Sequence, residues 1–99
     1  MTYINFSELK PNKNYPLMID SMEKNRYVGQ DKIVKFLQTG EIVLAQLSRN
    51  RDVFDNSVIP AEVLVLTDGE YMWCNHLAHY VDKYNVRLPR KFEKHILGN

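Results

Sequence analysis

The sequence has almost no cysteine. Cys74 stands alone, so an internal disulfide is excluded and an oxidising compartment leaves no mark. Long apolar runs are missing too, and nothing approaches the ~20 residues that a helix needs to cross a bilayer. Met1 to Lys10 lacks the charged-then-apolar layout of a secretion signal. These absences make cytoplasmic residence, with no membrane contact, the expectation. Nor does charge of one sign dominate: 13 basic and 12 acidic side chains leave a formal net charge of +1. Nonspecific nucleic-acid binders usually show a marked basic excess, so this balance argues against that class. Glycine is sparse. Gly29, Gly40, Gly69 and Gly98 are isolated, which rules out G-x-G-x-x-G and G-x-x-x-x-G-K phosphate loops. No repeat, linker or low-complexity segment divides residues 1–99, so a single domain is expected.

What is there is organised around Leu64 to Trp73. The stretch reads as two strands joined at Asp68-Gly69, because a two-residue hairpin loop needs positive φ, which Gly adopts freely and Asp tolerates. Tyr71 and Trp73 share one face by the period of two. Upstream, Tyr3, Ile4, Phe6 and Leu9 fit either a short strand or an arm packed on the body. Asn14-Tyr15-Pro16 reads as a helix start, with Leu17, Met18, Ile19 and Met22 as its apolar side. A second helix is expected from Gln30 to Thr39, where Ile33, Phe36 and Leu37 make one face before Gly40. Ile42 to Leu47 is a strand. It and Val63 to Leu66 are apolar on both faces, which predicts central strands covered on both sides.

After Trp73, Asn75 suits an N-cap. Leu77, Tyr80, Val81 and Tyr84 then form a helical stripe, and Asn85 can end it in a left-handed conformation. Leu88-Pro89 opens a last helix with Phe92 and Ile96 on one face. The expected fold is therefore α+β. It has a three-stranded antiparallel sheet (about 42–47, 62–67 and 70–73) and about four helices, in the order α-α-β-β-β-α-α.

Leu66-Thr67-Asp68-Gly69-Glu70-Tyr71-Met72-Trp73, Leu77-Ala78-His79-Tyr80-Val81, Lys83 to Pro89, Phe92 and His95-Ile96 together resemble a group of small bacterial proteins. These share a TDG-x-x-W…LAxYVxKY…LPxxF pattern. Some resemble the immunity proteins encoded beside polymorphic or contact-dependent toxins. The resemblance covers residues 64–96, with a weaker echo around Gln30 to Ala45. It implies a non-enzymatic protein that neutralises a toxin domain by direct binding. It transfers no residue role, since each shared position also has a packing reason.

Candidate chemistry is thin. Cys74, His76 and His79 are the only close group with metal-ligand character, and a zinc site would need a further ligand such as His95. The simpler reading is two surface histidines and a small buried thiol. A Cys74–histidine dyad is conceivable, but Cys74 lies in apolar company. The carboxylate pairs Glu62/Glu70 and Asp52/Asp55 read as solvated strand-edge or turn residues. Lys83, Arg87, Arg90, Lys91 and Lys94, with Arg49 and Arg51, form a basic series diluted by Asp82 and Glu93. Tyr27 and Tyr71 stand open between core filler and interface anchor.

The leading expectation is a protein-binding module with no catalytic, metal or cofactor site. Its candidate contact residues are Tyr27, Arg49, Arg51, Asp52, Tyr71, His76, His79 and Lys83. One alternative is a nucleic-acid-associated regulator using the basic C-terminal helix. The other is a small metal- or thiol-dependent enzyme using Cys74, His76 and His79. Two-faced strands in so short a chain fit a monomer or a homodimer.

Overall fold

The chain enters as a strand, β1 (Thr2–Ile4), the first of the two alternatives open for this stretch, but it joins the sheet, which was not expected. β1 pairs in parallel with a strand far along the sequence. The computed structural model describes residues 1–98. A single 3-10 turn (Met18–Ser21) follows β1, and then come α1 (Gln30–Leu37), β2 (Glu41–Gln46), β3 (Val63–Thr67), β4 (Tyr71–Cys74), α2 (Leu77–Tyr84) and α3 (Arg90–Leu97). The sheet order is β1-β4-β3-β2, with every pairing antiparallel except β1–β4. Thus the fold is α+β, but the expected three-stranded antiparallel sheet with four helices is overturned. The sheet is four-stranded and mixed, and there are three α-helices among the described residues. Among the described residues no helix is long and apolar enough to cross a membrane.

The missing helix has a local cause. The Glu8 carboxylate accepts the backbone N–H groups of Met18 (2.7 Å) and Ile19 (2.9 Å). That satisfies the start of one turn from outside. Met22 then takes an extended conformation and bridges to Val86, so the turn cannot propagate. Met18 alone in it is buried.

The hairpin turns one residue later than expected. The Asp68 N–H donates to the Tyr71 carbonyl (3.3 Å), which makes Gly69 and Glu70 the central residues. Gly69 alone there has positive φ, as a turn with glycine at its first central position requires. Asp68 holds the turn with its side chain, accepting N–H bonds from Glu70 (3.0 Å) and Tyr71 (2.9 Å). Burial pushes the Asp68 carboxyl up, but the contact with His95 of α3 and the two N–H bonds outweigh this and leave its pKa lowered.

The helices cover one face of the sheet. Ile4, Leu66 and Trp73 lie opposite one another in register and are buried against Leu37 and Phe92. Trp73 Nε1 donates to the Leu37 carbonyl (2.9 Å). Leu77, Tyr80 and Val81 bury the expected stripe of α2, and Asn85 ends it at positive φ. Asn75 does not cap this helix. Its Oδ1 accepts the Leu64 N–H (2.9 Å) and its Nδ2 donates to the Glu62 carbonyl (2.9 Å), so it extends the β3 edge instead.

β3 is central, as expected, but a groove rather than a second covering layer borders its Val63–Val65 face, and β2 is not central. β2 is an edge strand whose six residues are all exposed. A bulge interrupts its register between Ile42 and Leu44. Just before it, Gly40 has φ +119, and a Cβ there would lie 2.8 Å from the Thr67 carbonyl oxygen. Gly69 also has positive φ (+101) but faces open space. Gly40→Ala is therefore expected to cost about 2–3 kcal/mol and Gly69→Ala about 1 kcal/mol. Urea unfolding of the two variants checks the order, and equal losses contradict the close approach at Gly40.

Candidate interaction surface

The loop between β2 and β3 is built around Asp52. The Asp52 side chain has 0% solvent exposure, so the charge needs several donors to be tolerated. Its Oδ1 accepts from the N–H groups of Phe54 (2.8 Å) and Asp55 (3.2 Å). Its Oδ2 lies 2.7 Å from His79 Nε2 and 2.9 Å from the Tyr84 hydroxyl. An ionised carboxylate only accepts, so His79 donates from Nε2. Burial pushes the Asp52 carboxyl up, but the bonds from His79, Phe54, Tyr84 and Asp55 together leave it below its ordinary value. Burial and the bond to Asp52 raise the Tyr84 phenol.

Further bonds tighten the same loop against α2. The Tyr80 hydroxyl accepts the Val53 N–H (3.1 Å). Lys83 pairs with Asp55 and stands 4.0 Å from Asp52. That ammonium, then Ser57, holds the Asp55 carboxyl well below the usual range. Asn56 takes the left-handed conformation that lets the loop reverse. Asp52 and Asp55 are therefore not a solvated pair: Asp52 is the buried anchor of the loop.

The other sequence candidates scatter. His76 is buried, and its Nε2 donates to the Ala61 carbonyl (2.9 Å). Tyr71 packs on Phe92, with ring centroids 4.7 Å apart, within the helix-covered face. Tyr27 donates to the Val86 carbonyl (2.7 Å) and carries the Arg87 guanidinium 4.1 Å from its ring centroid. Burial, then the Glu93 charge, pushes its phenol up to about 12. Cys74 and His76 line one groove, and His76 and His79 line another. Among the described residues no group of three or more His, Cys, Asp and Glu side chains is arranged to hold a metal ion. Burial pushes the Cys74 thiol up, away from the thiolate that a nucleophile needs. The C-terminal basic series is partly consumed, because Arg87 forms two bonds to Glu93 (3.0 and 2.7 Å) and Lys83 is held by Asp55.

What remains outward is β2 and the loop after it. Ile42 is 62% exposed, Val43 54%, Leu44 52% and Leu47 91%. Arg49 and Arg51 follow directly and are exposed. A row of free backbone groups beside apolar side chains is what soluble proteins ordinarily cover, bend away or charge. Here the bulge at Val43 bends the ladder, and Glu41 is the only charge in the strand.

The bonding roles of Gln30 and Tyr84, read only as a helix start and as a member of the α2 stripe, escaped the sequence reading. Gln30 is buried, donating from Nε2 to the Val81 carbonyl and the Asn85 side chain (both 2.8 Å) and so tying α1 to α2. A polar residue at a helix start gave no sign of this. Comparison with family models, curated proteins and solved structures finds no match.

The Asp52 anchor has a pH signature. Its folded pKa lies below the ordinary 3.8. Its contribution is therefore fully present above the unfolded pKa and lost as pH falls through the lower folded value. Asp52→Asn is expected to cost about 2–4 kcal/mol at neutral pH, because donors aimed at a carboxylate lose it. The variant should also show a shallower loss of stability below about pH 4 than the parent. Denaturant titrations across that range check this. A parallel acid limb in both proteins contradicts it.

Proposed function

We propose that this chain is a non-enzymatic protein-binding module that docks its partner on the β2 edge. In its specific form it is an immunity protein that neutralises a bacterial toxin domain by direct binding. The observation that carries the binding reading is the unpartnered edge strand with Ile42, Val43 and Leu44 exposed. Such an edge can take another chain by strand addition or through its apolar side chains. The specific form draws on the resemblance of residues 64–96 and on the short chain. A non-enzymatic role is supported by how the reactive side chains are spent. The imidazoles of His76 and His79 hold the loop, and the thiol of Cys74 is disfavoured as a nucleophile.

On this reading the protein acts in the cytoplasm of the cell it protects. Its near-neutral charge calls for a mixed-charge contact rather than bulk attraction to a basic enzyme. Val43→Asp with Leu44→Asp places charge on the docking face without touching the core. The expected result is loss of co-purification with the toxin domain encoded beside this gene, and loss of growth rescue, at an unchanged thermal midpoint. Capture by the double variant at parental strength contradicts docking on β2. No complex at micromolar concentration with the parent, or a stable homodimer that occupies β2, contradicts the immunity reading.

A further inference from the structure

The sheet face that carries Val65 and Cys74 borders a groove of about 760 Å³, which His76 and Tyr80 at the start of α2 also line. Val63 and Val65 of β3 and Cys74 of β4 form its floor, with Tyr3 of β1 beside them. Val65 and Cys74 are direct partners in the ladder, so they share this face. Lys10, Arg49 and Arg51 line it too. No carboxylate lines the groove, although the chain has 12 acidic side chains. Among the described residues, Lys10, Arg49 and Arg51 take part in no ion pair. The one side-chain bond from these three is Arg51 Nη1 to the Asn56 carbonyl (2.9 Å). By contrast, Lys83 and Arg87 elsewhere on the surface are matched to carboxylates.

We infer that this groove docks an extended, acidic segment of the protein partner, with apolar side chains on Val63, Val65 and Cys74 and carboxylates toward Lys10, Arg49 and Arg51. The inference rests on the binding-module reading and deepens it. Charge is the first argument. Three cations lining one groove without anions complement a segment that brings its own carboxylates. The second argument is the floor. Val63, Val65 and Cys74 suit alternate apolar residues of an extended chain, and of the two tyrosines that line the groove Tyr80 is buried, which leaves Tyr3 alone as a surface on which a base stacks. The third is continuity. Gln46, the last residue of β2, also lines the groove, so a partner seated on the β2 edge can pass directly into it.

The test uses the isolated full chain and a labelled short peptide alternating Glu and Val. Peptide binding is expected to weaken about tenfold or more between low salt and about 0.3 M salt. Lys10→Glu with Arg49→Glu, both at exposed positions without side-chain bonds, is expected to weaken it about tenfold or more at an unchanged thermal midpoint. Bound peptide should also slow modification of Cys74 by a small thiol reagent, which reports on this groove alone because the chain has no other cysteine. A peptide alternating Lys and Val should not bind. The inference is overturned by no binding of the acidic peptide, by equal affinity in the charge-reversed variant, or by a single-stranded oligonucleotide that binds more tightly and displaces the peptide. Because this test needs no toxin domain, its failure is separable from failure of the immunity reading. Toxin capture that survives Lys10→Glu with Arg49→Glu removes the groove and leaves the module.

Discussion

A buried carboxylate governs how this protein presents itself. Asp52 sits in the middle of the long connection between β2 and β3, with its side chain wholly out of water. An unpaired charge there would be untenable. It is stabilised from two directions, by N–H groups of its own loop and by His79 and Tyr84 of α2. Loop and helix therefore hold or fail together. Because Arg49, Arg51 and Val53 flank Asp52 in sequence, the same anchor sets where the groove wall stands.

The consequence is a division of labour between the two sides of the sheet. On the helix side, Trp73, Phe92 and Leu37 make the core. The residues with most chemical character are also spent on structure. His95 meets Asp68 of the turn, Glu93 holds Arg87 and the Leu88 N–H, and His76 holds Ala61. On the other side lie an apolar edge, an open groove and cations without anions. That side also carries Cys74 and His76, and it has much of what a macromolecular contact requires.

Parts of this arrangement were legible in the sequence because their causes are local. The α2 stripe, the left-handed Asn85 and a glycine turn after Thr67 depend on neighbours a few positions away. The parallel pairing of β1 with β4 was not legible, since it joins Thr2–Ile4 to Tyr71–Trp73, far apart in sequence. The abortive helix after Pro16 had the right residues, but Glu8 and Val86 decide its fate from outside. β2 is the instructive failure. Apolar residues on both faces of a strand signal burial without saying whose atoms do the burying. In this chain nothing covers them. Asp52 looked like turn material for the same reason, as its partners on α2 are far away in sequence.

Amide hydrogen exchange of the free protein and of its complex with the proposed toxin partner tests this division most directly. The account predicts that the Phe54 and Asp55 amides exchange slowly in both states. It predicts that the protection gained on binding falls on Glu41 to Arg51 and on the groove-facing strands. New protection concentrated on the outer faces of α2 and α3, with β2 exchanging as in the free protein, would contradict it.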